Sequence, residues 1–394
     1  MRYSASAGLI RRLNRSAILD LVREQGPIAR SAIGRQLNIS LPTVMRIIDD
    51  LIEVELVKDC GDTEASGGRP RSLLEFNASA SAVVGIDLGG TKMFGTVADL
   101  GGNVQEEVYV SWGEDGSNDN LKQLYHLIDR LMAAPRPAGQ RIRGIGVGAP
   151  GITRYEEGIV SWAPSLKWRD LPLKRILTER YGLPVFVEND VNLAALGEYG
   201  FGTAKGAASL VCLAIGTGIG AGIVIDRKIY RGHKQSAGEI GYLPPDVSFL
   251  GRHYAGFGAL ESIASGTGVA RRARKLLQEL ELPCQDDLSS EDVFNAARLG
   301  TGWATQVVAE TVDYLSFAVA AISALIDPEV IVLGGGVARS ADLLIPPMLK
   351  RLEGVVPSLP RLIQSTLGFR AAVMGAIMMV LDATTEHVSI ERLS

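Results

Sequence analysis

Three glycine-rich turns have the composition of a polyphosphate site. The first, Asp87-Leu88-Gly89-Gly90-Thr91-Lys92, follows the apolar run 82–86, and the second occupies residues 215–222. Adjacent glycines let a backbone approach an anion closely, so that successive N–H groups can point toward it. The third turn, Leu333-Gly334-Gly335-Gly336, could hold a flat ring against its backbone. Each turn alone is more often structural, but the three together predict a nucleotide site.

The first two turns join strand-like runs. Residues 93–99 follow Lys92, and residues 223–228 follow the second turn. A Rossmann or P-loop phosphate site opens a helix instead, and the chain has no G-x-x-x-x-G-K-[ST] match. The sequence therefore predicts two hairpins that face across a cleft and hold the two ends of a polyphosphate. A plain hairpin turn is the alternative for either one.

Carboxylates after other strand-like runs are candidates for binding hydroxyl groups. Asn189-Asp190 follows the apolar run 183–187, and Glu239 and Glu261 lie in later acidic segments. A carboxylate at a strand end of an open α/β sheet lies where substrates bind, and Asp190 could take a proton from a hydroxyl. The alternatives are a cap for the helix that begins at Val191, and solvated loop carboxylates at Glu239 and Glu261.

Length and composition predict a protein of two or three domains with packed cores. The chain has 394 residues and is 46% apolar. Its cysteines, Cys60, Cys212 and Cys284, are scattered, which favours neither a disulfide framework nor a metal cluster and fits a reducing cytosol. The N-terminus lacks the apolar core of a signal peptide, and the longest apolar run, 317–326, is too short to span a bilayer. We therefore expect a cytoplasmic protein without a membrane segment.

The charge is uneven along the chain. Residues 1–48 contain eight arginines and two acids, a local charge of +6 that leaves −10 for the rest of a chain whose total is −4. Such asymmetry suggests a head that faces nucleic acid on an acidic body. The total charge of −4 excludes a protein that is basic throughout and coats nucleic acid along its whole length.

The N-terminal residues have the spacing of a helix-turn-helix. Apolar residues recur at helical intervals over 9–24, Gly26-Pro27 ends that helix, and residues 31–37 fit a short second one. Residues 41–43 open a third helix, for which Ser40 is the predicted N-cap. The third helix is the predicted major-groove reader.

A basic hairpin follows the third helix. Its strand-like ends, 56–59 and 73–76, flank a segment rich in Gly, Ser and Arg that resembles a minor-groove arm. The alternative is a small protein-contact module with solvated arginines. We favour DNA binding, with candidate contacts at Arg30, Ser40, Thr43, Arg46, Arg69 and Arg71.

With these motifs in place, the chain resembles the ROK family (repressors, open reading frames and sugar kinases) of the actin-like ATPase superfamily. The resemblance runs from about Val83 to Leu381, and the family's repressors carry an N-terminal winged helix. It implies an α/β fold, a winged helix-turn-helix followed by a two-lobed actin-like (ribonuclease H-like) sugar-kinase body. The implied domains are a head (1–76), a linker (77–81), a small lobe (82–190, joined by a C-terminal helix 371–390) and a large lobe (191–370).

The resemblance also implies roles for particular residues. Asp190 is implied as the catalytic base on a sugar hydroxyl, beside a sugar-binding set of Gly148, Gly151, Asn189, Asp190, Glu239 and Glu261. The implied nucleotide set is Asp87, Gly89, Gly90, Thr91, Lys92, Gly216, Thr217, Gly218, Gly334, Gly335 and Gly336.

The chain departs from the family at its zinc motif. The four positions that carry His and three Cys in the family correspond here to Tyr242, Arg252, Tyr254 and Ala259. His233 and His253 cannot rebuild a site that needs four N or S ligands, so we predict no structural zinc and no other metal centre. The replaced His is also implied in sugar contact, so Tyr242 is expected to alter specificity.

Two functions of different classes follow. The first is a sugar-responsive transcriptional repressor, a homodimer or homotetramer that binds operator DNA and a sugar or sugar phosphate. The second is an ATP-dependent sugar kinase for a hexose or N-acetylhexosamine, with ATP and Mg²⁺ as cofactors, because the phosphate turns and Asp190 are retained. The two activities can coexist in one chain.

Overall fold

A computed structural model describes residues 7–63, 72–113, 119–254 and 258–384. Within 7–76 it forms a winged helix-turn-helix head, with α1 (Ala7–Gln25), β1 (Ile28–Ala29), α2 (Arg30–Leu37), α3 (Leu41–Glu53), β2 (Val57–Thr63) and β3 (Ser72–Phe76). The strands pair in the order β1-β3-β2, all antiparallel. The short β1 strand, which adds an edge to the wing, was missed from sequence. Arg69 and Arg71, at the predicted wing tip, lie outside the described residues.

The first sheet of the body has the order β11-β7-β4-β5-β6. Its elements are β4 (Ser81–Leu88), β5 (Lys92–Asp99), β6 (Val104–Ser111), α4 (Asn120–Ala133), β7 (Arg141–Ala149), β8 (Ile152–Arg154), β9 (Ile159–Ala163), β10 (Trp168–Leu171), α5 (Leu173–Tyr181) and β11 (Val185–Asn189), of which β8–β10 form a separate small sheet. Strands β4, β7 and β11 are parallel, so Asp87, Ala149 and Asn189 end at one edge of the sheet. The predicted first hairpin is confirmed, since β4 and β5 pair antiparallel.

The second sheet has the order β14-β13-β12-β15-β16. This part of the chain contains α6 (Asp190–Gly200), β12 (Ser209–Ile215), β13 (Ile219–Ile225), β14 (Lys228–Ile229), α7 (Ala259–Ala264), α8 (Gly266–Glu279), α9 (Ser290–Arg298), α10 (Gly302–Ile326), β15 (Val330–Gly334), α11 (Ala341–Leu352), β16 (Arg361–Gln364) and α12 (Ala371–Thr384). The second predicted hairpin is also confirmed, because β12 pairs antiparallel with β13 and parallel with β15. The predicted C-terminal helix is described as far as Thr384.

Two helices lie between the sheets and touch each other through glycines. A Cβ on Gly375 of α12 would lie 1.8 Å from the Leu193 carbonyl oxygen of α6, and a Cβ on Gly197 would lie 2.1 Å from that of Ala371. Glycines also bring each sheet close to its helix: a Cβ on Gly146 would lie 2.7 Å from the Ala376 oxygen, and one on Gly222 would lie 2.4 Å from the Val191 oxygen. Sheet, α12, α6 and sheet therefore form consecutive close-packed layers.

The head shares a buried cluster with the body. Ile18 and Val22 of α1 belong to the same apolar cluster as Ile377 and Val380 of α12. In α3 the buried stripe is Val44, Ile47, Ile48 and Leu51, as the helical spacing predicts. The head is thus seated on α12 by apolar packing.

Helix α10 corrects one expectation from sequence. Among the described residues it is long and apolar enough to cross a membrane by length and composition, because the apolar stretch extends well before Phe317. Its side chains Leu315, Ala318 and Val319 are fully buried in the cluster that covers the second sheet. The helix therefore packs as a core helix of the large lobe.

The α6–α12 contact generates a prediction about stability. An alanine in the middle of an exposed helix is favoured over glycine, by about 1 kcal/mol. We nevertheless expect Gly375→Ala to lower the free energy of unfolding by about 1–3 kcal/mol, because its methyl group would overlap a backbone oxygen. Thermal or urea unfolding measures the change.

Gly302→Ala is the matched control, because a Cβ on Gly302 has no atom within 4 Å and the residue begins a helix. Equal stability of both variants would show that α6 and α12 are not in close contact.

Candidate functional site

A large cavity lies between the glycine turns of the second sheet and the end of the first hairpin. It has a volume of about 850 Å³. Its lining includes five of the predicted nucleotide residues: Lys92, Gly216, Thr217, Gly335 and Gly336. A Cβ on Gly216 or Gly336 would meet no atom within 4 Å, so the backbone at both positions is open to a ligand. Gly335 has φ +79° and no room for a side chain beside the Ile215 oxygen.

The other predicted nucleotide residues lie outside the lining of this cavity. Gly334 is buried within β15, and Thr91 and Gly90 are exposed at the tip of the first hairpin. The Gly89 carbonyl accepts a hydrogen bond from Trp112 Nε1 at 2.8 Å. Gly218 is pressed against Glu261, whose Oε2 would be 2.5 Å from a Cβ there. These residues belong to the turns themselves, and the cavity is lined by their neighbours in the sequence.

Two carboxylates, Asp87 and Asp190, lie near enough at the parallel strand ends for one to act on the other. Burial raises the pKa of Asp190 to about 8, with a further rise from the nearby Asp87 carboxylate, while the backbone N–H of Val191 opposes the shift. Burial likewise raises the pKa of Asp87 to about 7, and the Lys92 ammonium opposes that rise. Because the two carboxylates repel each other, they titrate as a pair. A group with a pKa near neutrality is suited to general-base chemistry.

Asn189 has the capping geometry that the sequence left open. Its Oδ1 accepts from the N–H groups of Val191 (2.9 Å) and Asn192 (3.0 Å), which caps α6. Its Nδ2 donates to the Gly151 oxygen (2.9 Å) and to Asp190 Oδ1 (3.1 Å). All four hydrogen-bonding positions of the amide are filled, so Asn189 orients Asp190 and would exchange a bond to hold a sugar.

The other predicted sugar residues lie close to this pair. The Glu239 carboxylate raises the pKa of Asp190 further, and burial followed by repulsion from Glu261 raises the pKa of Glu239 itself. Burial raises the pKa of Glu261, whose Oε2 accepts the Ile219 N–H at 2.8 Å. The half-exposed Tyr242 lies beside both glutamates, and burial and these two charges raise its pKa. Acceptors of this kind suit a ligand rich in hydroxyl groups.

The predicted glycines of the sugar set, Gly148 and Gly151, lie at the same edge of the first sheet. Gly148 pairs with Asp87 and Glu188 across the parallel strands. A Cβ on Gly148 would lie 3.3 Å from the Cα of Asp190. Gly151 has φ +79°, and a Cβ there would lie 2.1 Å from the Trp162 oxygen. Glycine is therefore required at Gly151, whose carbonyl holds Asn189.

One buried ion pair of the site was missed from sequence. Glu188 is 1% exposed, and its Oε2 accepts from Arg231 Nε at 2.6 Å. Its Oε1 accepts from the Asn189 N–H (2.8 Å) and from Asn192 Nδ2 (3.0 Å). The Arg231 guanidinium also stacks over the Tyr155 ring, 3.9 Å from its centroid. The sequence does show an acid near the end of an otherwise apolar strand. It does not show that the distant Arg231 pairs with this acid.

The exposed face of α3, the predicted major-groove reader, carries only part of the predicted DNA-binding set. Arg46 is exposed and Thr43 half-buried on α3, and Met45, which was not predicted, is exposed beside them. Ser40 occupies the N-cap position, but its hydroxyl pairs with Thr43 Oγ1 at 2.9 Å and makes no cap bond. The predicted N-cap position is therefore confirmed, while the capping hydrogen bond is replaced by a bond to a second hydroxyl.

Arg30 is engaged inside the head. Its Nη1 donates to Ser72 Oγ at 3.3 Å and lies 3.6 Å from Asp59 Oδ2. The side chain therefore ties α2 to the two strands of the wing.

The described residues contain no group of three or more His, Cys, Asp and Glu side chains arranged to hold a metal ion. Tyr242, Arg252, Tyr254 and Ala259 stand at the positions that the resemblance assigns to zinc ligands. The lack of a structural zinc stays a prediction.

The winged helix-turn-helix head, the two-lobed α/β body, the carboxylates at the strand ends and the cavity of about 850 Å³ define a winged-helix protein with an actin-like body. The family model described as "ROK family" matches residues 83–383. The chain belongs to the ROK family, and the resemblance read from its motifs is confirmed.

Relatives of two kinds match the chain. The xylose repressor of Caldicellulosiruptor bescii is 30% identical over 394 residues, which cover 95% of this chain and 96% of the repressor. A crystal structure of a ROK family transcriptional regulator, a homologue of the E. coli MLC protein, matches with TM-score 0.83 and 26% identity over 96% of this chain and 97% of that one. A ROK family glucokinase from Streptomyces griseus, in complex with glucose and AMPPNP, matches with TM-score 0.64 and 29% identity over 76% of this chain and 99% of that one.

The raised pKa of Asp190 generates a prediction about pH. Between about pH 4 and 8 an aspartate is ionised in the unfolded chain, whereas a carboxyl group with a folded-state pKa near 8 takes up a proton on folding. The free energy of unfolding therefore falls as the pH rises through this range. We expect Asp190→Asn to be more stable than the wild type at pH 8.5, by roughly 1–3 kcal/mol, and closer to it at pH 5. Urea unfolding at both pH values measures the difference.

Asp286→Asn, outside the cleft, controls for the loss of one exposed carboxylate. A stability difference for Asp190→Asn that is the same at pH 5 and pH 8.5 would contradict the burial of this carboxylate.

Proposed function

We propose that the protein is a sugar-responsive transcriptional repressor of carbohydrate uptake or catabolism genes. The observation that carries this proposal is the coverage of the relatives. The xylose repressor and the regulator structure match 95% and 96% of the chain, and therefore include the head. The glucokinase structure matches 76%, the share expected of the body without the head.

The head binds operator DNA through α3 and the wing. Arg46, Thr43 and Met45 lie on the face of α3 opposite its buried stripe, where a recognition helix contacts base edges. Arg30 supports the wing, and Ser40 helps to orient Thr43. Arg69 and Arg71, outside the described residues, are proposed as minor-groove or phosphate contacts.

The effector is a sugar or sugar phosphate bound at the edge where β4, β7 and β11 end. Asp190, Glu239 and Glu261 accept hydrogen bonds from its hydroxyls, Asn189 orients Asp190, and Gly148 and Gly151 give the ligand close access to the backbone. Xylose and glucose are the first candidates, because a relative is a xylose repressor and another holds glucose.

The assembly and location follow from operator binding. Two half-sites one helical turn apart need two heads, so a homodimer or homotetramer is proposed. The protein acts in the cytoplasm, without a structural zinc and without a membrane.

Sugar phosphorylation is the second candidate, and the cavity of about 850 Å³ favours it, because its lining includes Lys92, whose charge acts on the Asp87 carboxylate. The open backbone at Gly216 and Gly336 and the Lys92 ammonium suit ATP phosphates, and the related glucokinase holds AMPPNP. Mg²⁺ bound with ATP would neutralise phosphate charge, and the Asp87 carboxylate is its candidate neighbour. Asp190 would accept the proton of the attacking sugar hydroxyl.

The repressor function predicts that sugar changes operator binding. A DNA fragment enriched from a random pool by the full chain serves as the probe, in gel shifts with and without D-xylose or D-glucose. We expect one of these sugars, or another of a wider panel, to change the DNA Kd by roughly 5–150-fold. Arg46→Ala should weaken DNA binding by about 1–3 kcal/mol, because it removes a contact to a base edge.

Arg130→Ala, an exposed arginine on α4, is the control and should bind DNA as the wild type does. DNA binding that no sugar or sugar phosphate alters would count decisively against the proposed function.

The kinase function predicts ADP release that depends on Asp190. With ATP, Mg²⁺ and the sugar panel, Asp190→Asn should reduce any turnover by about 10²–10⁴-fold, because the base is lost. A coupled ADP assay measures it. Turnover that survives Asp190→Asn would refute the assigned base, and no turnover with any sugar would leave the cavity without a catalytic role.

A further inference from the structure

The head contacts the body through two unlike surfaces. One is apolar: Ile18 and Val22 of α1 share a buried cluster with Ile377 and Val380 of α12. The other is polar and involves the second sheet. A large apolar contact resists separation, whereas the polar surface rests on one partly buried ion pair, which can rearrange while the apolar contact stays intact.

The polar surface is centred on Asp20 of α1. Arg227 donates from Nη1 to Asp20 Oδ2 at 2.9 Å and from Nη2 to Oδ1 at 3.2 Å, which is a bidentate pair. Arg23, one turn along α1, lies over the ring of Phe201, 5.6 Å from its centroid. Burial lowers the pKa of Arg23, and Asp20 and Asp382 oppose that shift.

Arg227 stands at the tip of a tight hairpin. Asp226 and Arg227 both have positive φ, 49° and 66°, and connect β13 to β14 as a two-residue turn. Such turns match the twist of their strands and fix the register. The Tyr230 N–H donates to the Ile223 oxygen at 2.8 Å, which extends the hydrogen bonding between β13 and β14 by one residue. The hairpin therefore fixes the position of the next residue, Arg231.

The other end of this hairpin is fixed at the sugar cleft. The Arg231 side chain holds the buried Glu188, the residue before Asn189-Asp190. The Arg231 carbonyl accepts the Ala237 N–H at 3.0 Å, and the Gly238 carbonyl accepts the Ala221 N–H of β13 at 2.7 Å. Arg231 therefore lies between the segments that carry Asp190 and Glu239.

Helix α6 runs between the same two places. It begins at Asp190 in the cleft and ends at Gly200, 11 residues or about 16 Å later, next to Phe201 at the head. A Cβ on Gly222 of β13 would lie 2.4 Å from the Val191 oxygen, so α6 and the hairpin are in close contact. Both elements have one end at the cleft and the other at α1.

We propose that the β13–β14 hairpin, packed on α6, transmits sugar binding in the cleft to the DNA-binding head through the Arg227–Asp20 ion pair, with Arg231 as the positioning residue at the cleft. The inference rests on the proposed function, since it names the contact through which a sugar changes DNA binding. Sugar that contacts Asp190 and Glu239 moves the two segments that hold Arg231. The hairpin then shifts Arg227 against a head that stays seated on α12.

The test separates coupling from binding. Arg227→Gln and Asp20→Asn are compared with the wild type in gel shifts with and without the sugar that acts on the wild type, D-xylose or D-glucose first, and in calorimetric titrations of that sugar. We expect the sugar Kd and the sugar-free DNA Kd to stay within about twofold, while the change in DNA Kd caused by sugar falls about threefold or more. The charge-swapped double variant Asp20→Arg with Arg227→Asp should recover part of that change.

Arg180→Gln is the matched control, because it opens the exposed Arg180–Asp129 ion pair (3.1 Å) on the small lobe. A full sugar effect in Arg227→Gln overturns the inference and leaves the proposed function intact. The absence of a sugar effect in the wild type overturns both. Loss of coupling in Arg180→Gln as well would show a general effect of charge removal and would also overturn the inference.

Discussion

The contact between α6 and α12 is the constraint on which the rest of the structure depends. The glycines Gly197 and Gly375 let the two backbones meet, and Gly146 and Gly222 let each sheet approach its helix. Side chains at these positions would push the layers apart, because close-packed interiors do not absorb an added methyl group. The stack brings the end of β11 and the start of α6 into the cleft between the sheets, and it places the far end of α6 beneath the head.

The electrostatics of the cleft follow from this packing. Asp87 and Asp190 lie at one sheet edge, Glu239 lies in the segment after the β13–β14 hairpin and Glu261 lies on α7, so four carboxylates lose water together. Burial raises the pKa of each one. A ligand with several hydroxyl donors would replace the lost water. A ligand with a negative charge at this point would add to the repulsion.

Sequence reasoning predicted the parts of the site that are local in the chain. The two hairpins, the buried stripe of α3 and the family follow from short patterns of glycine and apolar residues. The Glu188–Arg231 pair and the Arg227–Asp20 pair join residues that are 43 and 207 positions apart, and nothing in a single sequence links them. Ser40 is the N-cap that the sequence predicts, but the pattern did not show that its hydroxyl would pair with Thr43 Oγ1 instead of a helix N–H. Of the predicted nucleotide glycines, Gly216, Gly335 and Gly336 line the cavity and the others do not, and a motif alone does not reveal which of its members face a cavity.

In the proposed function the head binds DNA, the cleft binds sugar, and the two sites are thermodynamically linked. Calorimetric titration of the wild type with D-xylose or D-glucose, in the presence and absence of saturating operator fragment, tests this most directly. Linkage requires that DNA change the sugar Kd by the same factor by which that sugar changes the DNA Kd. We expect equal factors, well above 1. A sugar Kd that is the same with and without DNA would contradict this linkage.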